Sequence, residues 1–570
     1  MTNKIFYWLI LIFGSYACLL IFPTLGAFNL FDWDEINFAE SSREMLQSRN
    51  YFQVQVNFEP FHEKPPLFFW LQFLSMKLFG VNAFAARFPN ALLAIITPVI
   101  LFKMGQKLKN NTFGIIWSIT FLCGILPSMY FRTGIIDPYF NLFIFISLFF
   151  YFHAISTNKN KSRNILLAGF FAGLGLITKG PVALLIILLA AVVYFLNSRK
   201  FFSIKQSIFF ILVLSLTSII WYGYEIYNKG FWFLVEFVKY QIELFSTPVA
   251  GHQQPVYYHI LVLLFGCFPF SFFAFKNCIK SSGFKIEFEK MMRILFWVVL
   301  ILFTVVSTKI IHYSSMAYFP LSFLAALELY KIRAGKKMNN NLKFLLVGFG
   351  TFISLLLSLL IYLIVYNKQV IIKIIKDPNV HQMVNQQMKW NGLEWLIPLF
   401  FLLFSLVWLI KIHDKLIYQL LFSMFMLGGF LSLSAYYIVP NVGKMTQGSA
   451  IEFYQSISKN KKYLMTVGFK SYAHYFYGEV DELSSNDKLY SEKNRILKDL
   501  FRVKSLNELS VSDKIKFNSH VLNWLVNDKI DRPAYFVTKI NRPIPLLENS
   551  SNITRIKNEG GFIFYKRNLK

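Results

Sequence analysis

The sequence predicts a polytopic α-helical membrane protein with a small α/β domain at its C-terminal end. Three observations predict it. Hydrophobic residues make up 55% of the 570, and charged residues only 15%, where an ordinary soluble chain has about 25%. Long apolar stretches recur as far as position 438. From Pro440 onward polar residues take over and no further apolar stretch of that length follows.

The apolar segments run 5–22, 91–102, 112–126, 140–152, 182–196, 207–222, 257–275, 294–306, 316–329, 344–365, 395–410 and 417–438. A helix needs roughly 20 residues to cross a bilayer, so flanking residues extend the shorter cores. A closed barrel would show short alternating segments instead. Basic clusters punctuate the series: Lys103, Lys107 and Lys109; Lys159, Lys161 and Arg163; Arg199, Lys200 and Lys205; then 276–293, 331–343 and 411–415. The positive-inside rule puts all six on the cytoplasmic side. Parity then demands two crossings between Arg163 and Arg199. The segments 165–177 and 182–196 supply them as a helical hairpin, with Lys179 of TKGP at its outer tip. The total is about 13 spans, with Met1 inside and the C-terminus outside. The first run has no A-x-A cleavage site and reads as an uncleaved helix.

The net charge of +28 comes from 58 basic against 30 acidic residues. Much of it sits in short cytoplasmic loops facing anionic lipid. No zinc-finger spacing, RNA-binding signature or glycine-rich nucleotide loop accompanies it, so nucleic acid is not an expected partner. Of the four cysteines, Cys18, Cys123 and Cys267 lie in or near spans and Cys278 in a cytoplasmic loop. The external parts are therefore expected to hold without disulfides.

The domain reading is a membrane core over 1–439, including a first external loop at 28–80, and a soluble domain over 440–570. In the tail, KKYLMTVGF, DRPAYFVTKI and GGFIFYKRNLK read as strands. KSYAHYFYG and SEKNRILKDLF read as helices. Short apolar strands alternating with helices make a small α/β domain.

Charge placed beside spans is costly and points to substrate, metal or ion handling. Asp32, Asp34, Glu35, Glu40, Glu44, Glu59 and Glu63 all fall between Phe31 and Gly80. Asp34, Glu35, Glu63, Lys64, Asp137, Lys179, Glu225, His252, Lys309 and His312 all fall on or near the external face of this topology, from loops far apart in sequence. Helix packing is expected to gather them around one cavity; interfacial anchoring is the plain alternative. Asp34 precedes a helical pattern whose Ile36, Ala39, Met45 and Leu46 suit an interfacial face. It can act chemically or cap that helix. Pro65 and Pro66 restrict the HEKPP loop. There Glu63 can bind a metal or a proton, and Lys64 can pair with a phosphate. His252 can ligate a metal or carry a proton.

The stretches DWDEINFAESSREML, FHEKPPLFFWLQFLSMKLFGVNAFAARFPN, RTGIIDPYF, GLITKGP, AGHQQPVYY and VVSTKIIHYSSMAYFP occur in this order over most of residues 1–320. Together they resemble the lipid-linked-sugar glycosyltransferases of the aminoarabinose transferase (ArnT) and protein O-mannosyltransferase superfamily, the bacterial ArnT-like branch above all. The resemblance implies a GT-C-type core with a periplasmic C-terminal domain in the bacterial inner membrane. It implies catalytic roles for Asp34 and Asp137. It implies donor-phosphate contacts for Lys64, Lys179 and Lys309, and a divalent metal, Zn or Mg/Mn, on Glu63 and His252. Glu35, His312 and Tyr257 are expected in support. HEKPP stands where an aromatic residue usually precedes EKPP, and AGHQQP where GHGQP is common. The implied reaction is inverting transfer of a sugar from a polyprenyl phosphate to an envelope acceptor such as lipid A or another glycolipid. A protein acceptor is the near alternative. Transport of a lipid-linked intermediate is the distant one, and the sequence lacks the internal repeats many transporters show.

Overall fold

The structure is a computed structural model. It describes residues 2–246, 254–284, 286–375, 377, 381–382, 384–386, 388, 390–410, 415–503 and 505–569. The chain divides into two compact units. The first comprises 1–27, 62–358 and 395–435, and the second 28–61, 359–394 and 436–570.

In chain order the helices are α1 (Thr2–Tyr16), α2 (Asp34–Ser48), α3 (Leu67–Phe79), α4 (Ala83–Leu108), α5 (Asn111–Leu122), α6 (Ile125–Tyr130), α7 (Asp137–Ser156) and α8 (Lys161–Lys179). Then come α9 (Val182–Ser198), α10 (Ile204–Lys229), α11 (Trp232–Ser246), α12 (Tyr258–Gly266), α13 (Phe270–Ile279), α14 (Glu287–Val305), α15 (Tyr318–Arg333) and α16 (Asn340–Tyr366). Helices Leu396–Leu406 and Leu416–Leu433 complete the first unit.

Every apolar segment of the sequence is helical here. Segment 257–275 is split at Pro269 into α12 and α13, because proline has no N–H for the ladder and clashes with the preceding turn. Among the described residues six helices are long and apolar enough to cross a membrane: Lys4–Thr24, Ala83–Leu108, Asp137–Ser156, Ile204–Lys229, Asn340–Tyr366 and Leu416–Ser456. Four apolar helices, among them α9, are shorter.

The hairpin at TKGP has a local cause. Gly180 closes α8 at φ +90, a conformation glycine adopts without strain. A Cβ there would also stand 2.9 Å from Cζ of Phe237. Pro181 then precedes α9, where its fixed φ suits a helix start. Helices α7, α8 and α9 pack on one another, and α10 packs on α8.

In the second unit, α2 leads to a two-residue hairpin of β1 (Gln55–Val56) and β2 (Glu59–Pro60). The turn residues Asn57 and Phe58 both have positive φ, the geometry of a type I′ turn. Their N–H groups donate to the Glu44 carboxylate at 2.6 and 2.8 Å. Residues 35–45 of α2 are all buried, so the expected interfacial face does not exist as a stripe. Its charges instead satisfy one another. Arg43 makes a bidentate pair with Glu40 at 2.7 Å and donates to the Val480 carbonyl. Burial and the Glu40 carboxylate push Glu44 well above the usual carboxylate range.

The tail forms a four-stranded sheet of β3 (Tyr463–Thr466), β4 (Ala534–Lys539), β5 (Thr554–Glu559) and β6 (Phe562–Arg567), in the order β3-β4-β6-β5. β3 and β4 are parallel, and the other two pairings antiparallel. The crossover carries helices Ala473–Gly478, Lys488–Asp499 and Val511–Asn527. The apolar faces of the last two, with Phe517, Val521 and Leu525 at the centre, bury Phe536, Ile563 and Tyr565 of the sheet. The three strands and two helices expected here are present. β5 and helix 511–527 were not foreseen. β5 is an exposed, charged edge strand, a form that resists pairing with other chains and leaves no apolar alternation to read.

Candidate active site

The first unit holds a cavity of about 470 Å³ whose charged groups come from three motifs of the sequence: Lys64 of HEKPP, Asp137 of RTGIIDPYF and Lys179 of TKGP; Asn141, Gln241 and Tyr313 add uncharged polar groups. Its remaining wall is largely apolar, with Val182, Leu185 and Ile186 from α9, Ile242 from α11 and Phe303 from α14.

Asp137 opens α7, with Pro138 in the first turn. A carboxylate there meets the positive end of the helix dipole, and proline loses no hydrogen bond. The preceding loop is fixed by Asn90, whose amide donates to the Thr133 and Ile135 carbonyls at 2.6 and 2.7 Å. Tyr139 OH donates to the Pro89 carbonyl. Lys179 ends α8, where a cation is favoured. Its ammonium lies 2.6 Å from Asp137 Oδ1, with the aspartate side chain 5% exposed and the lysine 15%. The same ammonium stands 5.5 Å from the centre of the Phe140 ring and 5.4 Å from that of Tyr313.

Lys64 is set by the start of α3, which follows directly on Pro65 and Pro66. Upstream, His62 packs its ring on Trp232 and Phe233. Burial and the Lys229 ammonium push His62 down to about 4, so a neutral imidazole takes the aromatic place before EKPP. Lys229 is itself paired with Glu225 at 2.5 Å. Trp221, Phe233 and Phe237 form the cluster beneath, together with Ile177 of α8. Phe237 is the ring that Gly180 approaches. The corner between α10 and α11 thus supports both the HEKPP and TKGP motifs.

Lys309 follows α14. It is buried and donates to the Val306 carbonyl at 3.0 Å; Val306 itself lines the cavity. His312 lies in the 3₁₀ segment Ile311–Ala317 and its carbonyl accepts from Ser315 Oγ. Tyr257 is 58% exposed at the start of α12 and is not part of the cavity wall. Glu63 sits in the turn before α3. His252 lies outside the described residues. The expected Glu63–His252 metal pair therefore has one described member. Among the described residues no group of three or more His, Cys, Asp or Glu forms a metal cluster.

Asp34 and Glu35 belong to the second unit. Asp34 is the first residue of α2 and partly exposed. Glu35 is buried, and its carboxylate accepts the Phe31 N–H at 2.9 Å. It closes the turn into α2. Between them and Phe31, Trp33 has φ +78, a strain of about 1–3 kcal/mol for a residue other than glycine.

Comparison with known proteins follows the same outline. The family described as dolichyl-phosphate-mannose-protein mannosyltransferase matches residues 63–222, from HEKPP through α10. Undecaprenyl phosphate-alpha-4-amino-4-deoxy-L-arabinose arabinosyl transferases of Wigglesworthia glossinidia brevipalpis and Proteus mirabilis are each 27% identical to the chain. The first alignment covers 54% of this chain and 56% of that protein; the second covers 61% and 65%. The matched part thus spans a little over half to just under two thirds of these relatives. The crystal structure of ArnT from Cupriavidus metallidurans bound to undecaprenyl phosphate superposes with a TM-score of 0.74 at 15% identity, over 98% of both chains. The fold is ArnT-like. It is the helical GT-C architecture with a small C-terminal sheet domain.

Two cavity residues of this ArnT-like chain were missed by sequence reasoning. Asn141 stands one helical turn after Asp137 and donates to Ser315 Oγ at 2.7 Å, tying α7 to the segment that bears Tyr313. The i, i+4 spacing was a usable signal. Tyr313 carried none.

Proposed function

We propose that this ArnT-like chain transfers a sugar from a polyprenyl-phosphate donor to an acceptor of the cell envelope, with inversion at the anomeric carbon. The observation that carries the reading is the cavity's composition: two lysines and an aspartate at one place, and an apolar wall from α9, α11 and α14 around them. That is the chemistry of a lipid phosphate, whose charge needs cations and whose tail needs hydrocarbon.

In this reading Lys64 and Lys179 hold the donor phosphate, with Lys309 in support. The acceptor oxygen attacks the anomeric carbon opposite the phosphate. The carbon–oxygen bond to the phosphate breaks, and the polyprenyl phosphate leaves with the electron pair. Cations fixed in advance beside that oxygen stabilise the developing charge. Asp34 or Asp137 orients the acceptor and takes its proton when the acceptor is a hydroxyl. A phosphate acceptor is already anionic and needs less base assistance. The donor carries its own activation, so no external nucleotide enters.

Lipid A is the acceptor this reading favours, because the motifs resemble the ArnT branch and the relatives named above are aminoarabinosyl transferases. A protein acceptor is the second reading, favoured by the match of residues 63–222 to a protein mannosyltransferase family. The proposed setting is the inner membrane, crossed about 13 times, with 28–80 and 440–570 in the periplasm. Glu63 and His252 are the proposed metal ligands; no step above depends on them. Elemental analysis of the purified protein beside Glu63→Gln and His252→Ala is expected to show metal in the wild type alone. Full activity of demonstrably metal-free wild type ends that assignment.

The deciding assay offers purified protein defined polyprenyl-phosphate sugars together with lipid A or peptide. Glycosylated lipid A supports the reading. Glycosylated peptide shifts it to the second. Movement of the lipid-linked sugar across a vesicle without sugar transfer overturns it.

A further inference from the structure

Trp33 is the one bulky apolar residue in the turn before α2 that combines exposure with a strained backbone. Trp33 is 42% exposed and Phe31 39%, whereas Leu30 and Ile36 are fully buried and Glu35 nearly so. Its backbone stands at φ +78, ψ −110. A tryptophan is held there only where the surroundings over-determine it, and the second unit does so. Asp32 Oδ1 accepts the N–H of Trp33 at 2.9 Å and of Tyr472 at 3.0 Å, while Oδ2 accepts the Ser471 hydroxyl. Leu30 N–H donates to Tyr477 OH, and its carbonyl accepts from Gln447, both at 2.7 Å. Asn37 N–H takes the Trp33 carbonyl at 2.9 Å.

The ring itself is positioned as firmly. Tyr472 meets it edge-on, at 6.2 Å and 80° between planes. The Lys470 ammonium lies 5.3 Å from the centre of each of the two rings. This much anchoring, spent on an outward ring, does not serve the core. It fixes a flat π face beside a cation, and next in sequence to Asp34.

We propose that Trp33 is the stacking platform for the sugar ring of the acceptor, with Lys470 facing that sugar's phosphate. The inference rests on the reading that Asp34 serves the transfer: Trp33 directly precedes Asp34 in the chain. An indole face suits the apolar C–H face of a pyranose, and its fixed geometry costs the bound sugar little ordering. The cation beside it selects a phosphorylated sugar over a neutral one. A ring anchored in the bilayer interface is the competing role for an exposed tryptophan.

The test uses full-length protein in nanodiscs and lipid A as the probe, titrated in the absence of donor. Trp33→Phe is expected to keep lipid A affinity within about threefold, and Trp33→Ala to weaken it tenfold or more. Trp33→Gly is the control for folding: glycine relaxes the positive φ, so this variant should melt no lower than Trp33→Ala and still lose lipid A. Lys470→Ala should weaken lipid A but not its dephosphorylated form. Lipid A bound equally by wild type and Trp33→Gly overturns the proposal, as does a wild type that binds no lipid A. So does a tryptophan effect on reconstitution yield or donor binding alone, the mark of an interface anchor. Loss of lipid A binding in Trp33→Gly, from a wild type that transfers no sugar, keeps this subsite and sinks the transfer reading instead.

Discussion

Asp137 and Lys179 form a buried pair at the cavity, and the pair makes two different demands on a variant. Removing one partner of a buried pair leaves the other uncompensated, at about 3–5 kcal/mol when burial is complete; here the lysine's 15% exposure softens that. Asp137→Asn keeps shape and frees Lys179 for the donor phosphate. Turnover is expected to fall at least a hundredfold while donor affinity holds or rises. Lys64→Ala should do the reverse, raising the donor KM with kcat largely kept. Near-normal turnover in Asp137→Asn would remove it from the mechanism. In the second unit, His474 is fully enclosed against Tyr475, and burial pushes it down from 6.5 to about 3. The unfolded chain therefore takes up this proton first as the pH falls. Stability is complete above about 6.5 and drains between that value and about 3. Melting temperatures across pH 4–7 should slope less in His474→Phe than in wild type; equal slopes refute the assignment. Lys64 and Asp137 drew notice in the sequence as charges amid aromatic residues, and Lys179 as the cation at the tip of the TKGP hairpin. Tyr313 was passed over, although it follows His312 within the stretch VVSTKIIHYSSMAYFP, because nothing there set the tyrosine apart from the charged residues beside it.

The TKGP tip shows how an element carries the chemistry. Lys179 points to Asp137 only because α8 stops where it does, and it stops because Gly180 turns at φ +90 against Phe237. Gly180→Ala adds both backbone strain and a methyl at 2.9 Å from a ring carbon. No charge changes, yet donor affinity and turnover are both expected to drop, by roughly tenfold for a cost near 1.4 kcal/mol. A companion Phe237→Leu should restore part of the loss, since it vacates the ring edge. Wild-type kinetics in Gly180→Ala would mean that the tip tolerates displacement. This hairpin was legible because parity of basic loops demanded it and glycine–proline punctuated it. The hairpin of β1 and β2 was not. Its turn is Asn57–Phe58, and phenylalanine at φ +58 carries no turn signal. What fixes that turn is Glu44, 13 residues upstream of Asn57 and bonded to both N–H groups, a tertiary contact no local window contains. Likewise α2 read as interfacial because Ile36, Ala39 and Met45 are spaced on one side. The Arg43–Glu40 pair and the Glu44 contacts bury the opposite side as well.

For the whole molecule the apolar segments of the sequence form helices in the expected order, the last of them running on past Pro440 to Ser456. Apolar segments are long, and each has a single low-energy answer in lipid, a helix that satisfies its own backbone. Which segments share a compact unit was less accessible. Residues 28–61 cluster with 436–570, through contacts such as Leu30 to Tyr477 and Asp32 to Tyr472, more than 400 residues apart. Hydropathy has no bearing on such pairings. Sidedness is the property that joins these elements to the proposed function, in which the acceptor and the donor sugar meet on one face. Under the positive-inside reading, Lys107, Lys161, Lys200, Lys285 and Lys337 are expected inside the cell, since each excess cation in a short loop opposes translocation. Cysteines engineered singly at those positions, in a chain with Cys18, Cys123, Cys267 and Cys278 replaced by Ala, should stay unlabelled by a membrane-impermeant maleimide in cells whose outer membrane alone is opened. Cysteines placed at Tyr51 and Leu569, both exposed, should label at once. Labelling of the 28–61 and 440–570 segments only after the inner membrane is breached would reverse the orientation. It would also place Asp34 and Trp33 on the cytoplasmic side, against the proposed function.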